Sequence, residues 1–337
     1  MLGEILGGHV DFNTIFYVTV VVSLFLIIVN MYFILRSRVR ERWYLGKPYL
    51  PESYLLAQIM DPDNLRSYVD SLAAALYKLI VEGYLEVTVS KKKAVMGNVT
   101  KLTFSKIKDP EGGALKFVYD MLPSNIRKHG LFGGEESNNF DADDLYTYFM
   151  ENKDEEVLDR YRDVVRTEYE KKYGAVKINF KPVGFLLGAI GTISAIWSIY
   201  LGYAYSNVSL SYVLYILGGI LIAVSISVAK IKFLWSSKAS KFRSRWLGFK
   251  KSVLKGDIDV DDFYDLLGYA LALGIGDRYL DVVKKLIVDG KVKLERVIFL
   301  KGEDVSYADL RALVRSIVMV VGGIGGKVAS GDKEDRV

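Results

Sequence analysis

Two short motifs in this 337-residue chain resemble ion- or phosphate-binding loops, and neither has the spacing that its chemistry needs. The alternating acids of 257–262 resemble the start of a calcium loop, which requires Gly at its sixth position and Glu at its twelfth. Those positions hold Asp262 and Gly268, so we interpret the acids as a helix cap. The Gly-rich run 322–327 resembles a phosphate loop, but Val328 follows Lys327 where Ser or Thr is required.

The rest of the sequence shows no pattern typical of nucleophilic or metal-dependent catalysis. It has no Cys, which excludes disulfides, thiolate nucleophiles and Cys-based metal sites. One of the two His residues, His129, lies in a Gly-rich loop, where a surface residue is the simpler interpretation. We therefore predict no catalytic residue, no metal site and no cofactor, and we expect that the protein is not an enzyme.

Two long uncharged stretches predict the elements that anchor the rest of the chain. Residues 12–35 and 182–229 contain no Asp, Glu, Lys or Arg. A bilayer core is crossed by about 20 apolar residues in a helix. The sequence therefore predicts an α-helical integral membrane protein with three transmembrane helices, at 13–35, 183–205 and 211–229, with a tight turn between the second and third.

Basic residues flank these stretches on one side only. A basic cluster follows the first stretch, and Lys181 and Lys230 flank the second and third. Positive charge collects on the cytoplasmic side of a membrane, so we predict a plasma-membrane protein whose residues 1–12 lie outside and whose C-terminus is cytoplasmic. The residues that set this topology, at the start of a basic linker over 36–50, are Arg36, Arg38, Arg40 and Arg42.

Small residues line one side of the second and third predicted spans. Such residues let helix backbones approach closely in lipid, which predicts a tight hairpin packed through Gly184, Gly188, Gly191, Gly218 and Gly219. In the first span, Asn30 has two interpretations: a hydrogen bond across helices, or contact with the headgroups. No span contains an ionisable residue, which argues against a proton relay or a carrier.

The first cytosolic segment, 51–105, has the element order of a winged helix: helix, helix, strand, turn, strand. Such domains often bind DNA through the second helix. The exposed positions of that helix carry as many acids as bases, and the basic residues of the predicted wing are Lys91, Lys92 and Lys93. We interpret the triplet as a solvated turn that could also form a wing contact.

Helices dominate the remaining cytosolic sequence. Residues 106–181 are predicted to form a second α-rich unit that ends in a solvated connector helix. Within it, Asp141, Asp143 and Asp144 could bind a cation, although capping of a helix that begins at Ala142 is the better interpretation. Residues 236–321 are predicted to be a mostly α-helical C-terminal domain, and 322–337 a Gly-rich disordered tail.

Several separated segments resemble one family. They are Pro51 to Leu55, Leu72-Ala73-Ala74, Val81-Glu82-Gly83-Tyr84-Leu85, Trp246 with Gly248-Phe249-Lys250, and Tyr269 to Gly274. Together with the membrane hairpin they are similar to the YciQ-like predicted membrane proteins (domain of unknown function 2207) over roughly residues 36–290. That family usually carries an extracytoplasmic β-rich domain before its first span. The resemblance therefore implies a form that lacks this domain, or one whose outer domain is a separate chain, and it supplies no catalytic residues.

These observations favour a membrane-anchored scaffold or complex subunit without enzymatic activity. Its expected partners are membrane lipid and either another protein or further copies of itself on the cytosolic side. Nucleic acid is not an expected partner. A membrane-tethered DNA-binding regulator is the main alternative, and a membrane enzyme ranks below it.

Overall fold

A computed structural model describes residues 12–37, 50–94, 97–124, 126–128, 135–137, 139–152, 156–206, 208, 210–258, 263–290, 299–302 and 305–325. The helices are α1 (Phe12–Ser37), α2 (Ala57–Met60), α3 (Leu65–Val81), α4 (Gly113–Met121), α5 (Ala142–Glu151), α6 (Val157–Tyr173), α7 (Lys181–Ala204), α8 (Ser211–Ala229), α9 (Ser237–Lys255), α10 (Phe263–Ala272), α11 (Gly276–Val288) and α12 (Tyr307–Gly325). The strands are β1 (Leu85–Ala94), β2 (Gly97–Lys106), β3 (Ile126–Lys128), β4 (Glu135–Ser137), β5 (Asn139–Asp141), β6 (Lys177–Asn179), β7 (Phe233–Trp235) and β8 (Leu300–Lys301).

The chain divides into two compact units. The first, Met1–Arg40 with Ala175–Ala239, is called the membrane unit because it contains the three helices that are long and apolar enough to cross a bilayer. These helices, α1, α7 and α8, coincide with the three predicted spans, which confirms that part of the prediction. The second, Glu41–Gly174 with Ser240–Val337, is called the globular unit.

In the membrane unit, α7 and α8 pack along their whole length and α1 packs against both. Among the described residues of this unit, the apolar interior forms three clusters, which contain Phe16, Leu26 and Phe180 respectively. A short ribbon joins the ends of the hairpin, because β6 pairs antiparallel with β7 through Lys177 and Trp235 at one end and Asn179 and Phe233 at the other.

The globular unit is built around α3, an amphipathic helix whose N-terminus is capped by Asn64. Helices α4, α6, α10 and α12 pack around it. A four-stranded sheet in the order β5-β2-β1-β8 completes the unit, with β1 and β2 antiparallel and β8 parallel to β1. The predicted order of helices and strands over 51–105 is therefore present, although its hairpin belongs to a larger sheet.

Segments from both sides of the membrane hairpin share this core. The hydroxyl of Tyr77 on α3 donates to the Tyr264 carbonyl on α10 at 2.9 Å, and β8 joins the sheet formed by β1. The segments that the sequence analysis assigned to separate cytosolic domains thus contribute to one unit, because neither buries the apolar face of α3 alone.

Two further elements differ from the sequence interpretation. The connector helix α6 is not solvated on all sides, because Tyr161, Val165 and Tyr169 are buried against the rest of the globular unit. Helix α12 continues through the first glycines of the predicted tail and ends at Gly325, since Val320 and Val321 are buried and Gly323 lies against Tyr146. Residues 326–337 lie outside the described residues, as do the acids 259–262.

Candidate functional site

Four of the five predicted packing glycines lie at the contact between α7 and α8. A Cβ added at Gly184 would lie 2.9 Å from the Val228 carbonyl oxygen, and one at Gly188 would lie 2.8 Å from the Ala229 Cβ. A Cβ at Gly218 would lie 2.7 Å from Ile199. These separations are shorter than carbon atoms accept, so at these positions only glycine permits the observed approach of the backbones.

Gly219 is different. A Cβ at this position would meet nothing within 4 Å, and the residue is exposed on the outer face of α8. The predicted packing role of Gly219 is therefore absent from the hairpin. The reason is geometric, because neighbouring residues on a helix point about 100° apart and only Gly218 faces α7.

Helix α1 contacts the hairpin through a stripe of buried residues spaced three and four apart: Phe16, Thr19, Ser23, Leu26 and Asn30. Three of these five residues are polar. The Ser23 hydroxyl lies 3.1 Å from that of Ser198 on α7, a hydrogen bond across helices in the interior of the unit. At the next polar position, the carboxamide of Asn30 is fully buried with both its nitrogen and its oxygen unpaired. It thus neither bonds across helices nor reaches the surface of the unit.

The predicted topology cluster is described only at its first member. Arg36 lies in the last turn of α1, and its guanidinium donates to the Tyr32 hydroxyl at 3.4 Å. Arg38, Arg40 and Arg42 lie outside the described residues.

The predicted wing triplet lies within strand β1 instead of a turn. The ammonium of Lys91 lies 3.9 Å from the carboxylate of Asp309, a buried residue that accepts hydrogen bonds from Ser306 and Thr100. This contact gives Lys91 a structural role at the start of α12. The side chains of Lys92 and Lys93 lie outside the described residues.

The acidic cluster at 141–144 is a helix cap. Asp141 accepts from the Asp144 amide at 2.8 Å, and Asp144 accepts from the Asp141 amide at 3.0 Å, which is a reciprocal capping box. Asp141 also pairs with Lys101 at 2.8 Å. Burial works to raise the pKa of Asp141, but Lys101 and the amide hydrogen bonds outweigh it and hold the pKa below its ordinary value.

Among the described residues of the globular unit, a cleft of about 240 Å³ lies between the turn Ser53–Leu55, α3 and α10. Its lining combines hydroxyls, carboxylates and one amine: Glu52, Ser53, Tyr77, Lys78, Val81, Asp265, Gly268 and Tyr269. We call this feature the tyrosine cleft. It could not be recognised in the sequence, because its residues come from three distant segments and form no local motif.

Charged groups at the tyrosine cleft are mostly fixed by neighbours. Glu52 accepts from the Tyr173 hydroxyl at 2.7 Å and from Lys172 at 3.1 Å. Burial works to raise the pKa of Glu52, but these two donors outweigh it and the pKa lies below its ordinary value. Lys78 pairs with Glu82 at 3.0 Å. Burial raises the pKa of both Tyr77 and Tyr269, so their phenols stay protonated. The cleft can therefore donate and accept hydrogen bonds.

One wall of the cleft is held by Trp246 on α9. Its indole stacks on the Tyr269 ring with centroids 4.2 Å apart and donates to the Leu50 carbonyl at 3.1 Å. Trp246 and Tyr269 stood out in the sequence only through a family resemblance. In the structure, Trp246 fixes the position of Tyr269.

One carboxylate of the globular unit has a strongly shifted pKa. Asp70 on α3 faces Gly274, and burial raises its pKa to about 6 even though Arg66 and Lys250 act in the opposite direction. Gly274 has a positive φ of 66°, and a Cβ there would lie 2.7 Å from the Asp70 carboxylate. Both features make glycine the residue that this position accepts.

Three apolar helices of spanning length joined to a mixed helix-and-sheet unit define the class: an integral membrane protein with a large extramembrane part. The comparisons with known proteins agree. A family model described as "Predicted membrane protein (DUF2207) C-terminal domain" matches residues 54–282, more than half of the chain. The chain therefore belongs to the DUF2207 family of predicted membrane proteins. No curated protein and no solved structure matches it.

Proposed function

We propose that this chain is a membrane-anchored, non-enzymatic scaffold or complex subunit. Its globular unit presents surfaces to a protein partner or to further copies of the chain. In this proposal the protein lies in the plasma membrane, with its N-terminus outside and the globular unit on the cytoplasmic side.

The observation that carries the proposal is that the membrane hairpin is inserted in the sequence of the globular unit. Because β1 pairs with β8 and α3 packs on α10, the segments before and after the hairpin belong on the same side of the bilayer. The chain passes between the two units after α1, at Gly174 and at Ala239. Three covalent connections between the two units are suited to a globular unit that is held at the membrane. Arg36, Lys181 and Lys230 next to the spans favour the cytoplasmic side.

The burial of α3 argues against the DNA-binding alternative. A recognition helix must expose one face to the major groove. Buried residues occur on every side of α3, namely Tyr68, Ser71, Leu72, Ala73, Ala74, Ala75, Leu76, Tyr77, Leu79 and Ile80. A helix in this position is a core element, which argues against its use as a recognition helix.

Two packed helices of the globular unit supply apolar side chains for such contact. On α5, Tyr146 and Met150 are 37% and 36% exposed, and on α12 Val318 is 52% exposed. The charge-poor end of α12 thus buries Val320 in the core while leaving Val318 outward.

Site-specific photocrosslinking in native membranes tests the proposal. A photoreactive residue placed at position 318 is expected to capture one protein, or a second copy of the chain, in fixed stoichiometry. The same residue at position 320, which is buried on the same helix, is the matched control and is expected to capture nothing outside the chain. Adducts to lipid alone from position 318 would contradict a protein-contact role.

The two alternatives are tested on the purified full chain in lipid nanodiscs. Binding to duplex DNA that weakens steeply with salt would favour the regulator, since phosphate contacts release counterions. Reproducible turnover on a panel of metabolites would favour an enzyme and overturn the non-enzymatic proposal.

A further inference from the structure

We infer that Asn30, Ser225 and Gly191 form a binding site for one water molecule in the interior of the membrane unit. Asn30 comes from α1, Gly191 from α7 and Ser225 from α8, so each of the three spans contributes one residue. The site is independent of the proposed scaffold function.

The first observation is a group of buried polar atoms without protein partners. Asn30 and Ser225 are both fully buried. Within the part of the chain that the structure describes, neither the amide nitrogen nor the oxygen of Asn30 has a hydrogen-bond partner, and neither does the Ser225 hydroxyl. Unpaired polar groups cost several kcal/mol in hydrocarbon, where no bulk water can satisfy them. Such a group therefore indicates a bound species that supplies the missing hydrogen bonds.

The second observation is the direction of the Ser225 hydroxyl. Three other hydroxyls in the spans donate to the carbonyl four residues earlier, namely Thr192 to Gly188, Ser198 to Ser194 and Ser227 to Ala223, at 2.8 to 3.0 Å. This local bond is the simplest way to satisfy a hydroxyl within a helix. Ser225 does not use it. Its hydroxyl points instead into the interior, toward α7.

The third observation is that Gly191 admits this hydroxyl. A Cβ built at Gly191 would overlap the Ser225 hydroxyl oxygen and would lie 3.3 Å from the Asn30 amide nitrogen. Glycine at this position therefore brings the two unpaired side chains to the same point of α7. A larger residue would displace the hydroxyl from its inward position.

The chemistry of these atoms determines the ligand. The amide donates and accepts, and the hydroxyl does both, which is complementary to a neutral molecule that also does both. No acid or base lies within 12–35 or 182–229, so an ion would have no compensating charge. Buried waters make about three hydrogen bonds to protein groups, and Asn30 and Ser225 together offer three polar atoms for them.

The direct test is a structure of the full chain in lipid nanodiscs at a resolution that shows ordered solvent. We expect one solvent peak within about 2.7 to 3.2 Å of both the Asn30 amide and the Ser225 hydroxyl. Gly191→Ala is expected to remove the peak, and Gly219→Ala, whose added methyl meets nothing, is expected to keep it. An Asn30 amide bonded directly to Ser225, with no solvent peak, would overturn the inference.

A thermodynamic cycle gives a second, independent result. We expect Asn30→Leu and Ser225→Ala each to lower the unfolding midpoint of the membrane unit in nanodiscs. The unfolding midpoint of the double variant should lie only slightly below that of the less stable single variant, because both side chains serve the same water. Ser227→Ala, which removes a hydroxyl that is already bonded, is the control. Strictly additive losses would argue against a shared ligand. If Asn30→Leu fails to insert, Asn30→Ser retains a polar group for the same cycle.

Discussion

The membrane unit and the globular unit hold their helices together by opposite means. Large side chains fill the globular interior, where Trp246, Tyr68, Tyr77, Tyr161 and Tyr279 are almost completely buried. The contact between α7 and α8 instead relies on residues that have almost no side chain, such as Gly184 and Gly188. In water, burial of a large apolar surface drives packing. In lipid that drive is absent, and close backbone approach with a few polar contacts replaces it.

The comparison is tested most severely by removing an indole from each unit. Trp246→Ala should destabilise the globular unit by about 4 kcal/mol, since it deletes a fully buried aromatic and its stack on Tyr269. Urea unfolding of the detergent-solubilised protein measures this loss.

The matched substitution is Trp197→Ala on α7, where the indole is exposed on the outer face of the membrane unit. We expect a change within about 0.5 kcal/mol, as for other surface positions. Equal losses from the two substitutions would break the contrast between the units.

The next largest effect concerns a half-buried carboxylate of the globular unit. The pKa of Asp70 rises from 3.8 to about 6 because burial disfavours its ionised form. Protonated Asp70 therefore stabilises the folded state most below pH 4. This contribution to the free energy of unfolding, at most about 3 kcal/mol, is lost as the pH rises through 6.

Asp70→Asn should remove this pH dependence and make the protein more stable than wild type at pH 7.5. Thermal unfolding of both proteins between pH 4.5 and 7.5 measures the difference. A constant difference across that range would show that Asp70 does not titrate there.

Close approach in the membrane unit is tested by a single methyl group. Gly184→Ala should destabilise the hairpin by about 2 kcal/mol, because the added Cβ would lie 2.9 Å from a backbone oxygen that cannot move aside easily. Unfolding in SDS–detergent mixtures, followed by circular dichroism, measures this change.

Gly219→Ala adds the same methyl group on the same hairpin and serves as the control. It meets no atom within 4 Å, and Ala is the better helix former by about 1 kcal/mol. We expect unchanged or slightly higher stability. A clear loss at Gly219 would mean that the outer face of α8 packs against something in the membrane.

The smallest effect is local to one cap. Asp141→Ala should lower the stability of the globular unit by about 1 kcal/mol, because it removes the capping box of α5. Asp141→Asn keeps a capping oxygen but loses the ion pair with Lys101, so its loss should be smaller. Equal losses would assign the effect to Lys101 instead of the cap. Denaturant unfolding distinguishes the two results.

Features with a local cause could be predicted from the sequence. The three spans follow from apolar length, and the cap at Asp141 follows from the acids at the start of α5. In each case the residues that determine the element lie within about one helix length of it.

Features that depend on distant residues could not be predicted. Strand β8 is too short to show an alternating pattern, and it exists because its residues pair with Val87 and Thr88. The buried face of α6 was hidden by charges on its other faces, and the tyrosine cleft needs three separated segments. The inward direction of the Ser225 hydroxyl depends on the rotamer of its side chain, which the residue type does not determine.

The membrane hairpin is inserted in the sequence of the globular unit, and this arrangement also determines the order of events during biosynthesis. The hydrogen bond from Tyr77 to Tyr264 joins residues 187 positions apart. At about 5 to 20 residues per second, a ribosome takes roughly 10 to 40 s to make the partners that α3 requires. During that interval the hairpin must enter the bilayer while the part of α3 that packs on α10 is still uncovered. Folding of this chain is therefore expected to wait for membrane insertion, and a chaperone that shields residues 65–81 would act in that window.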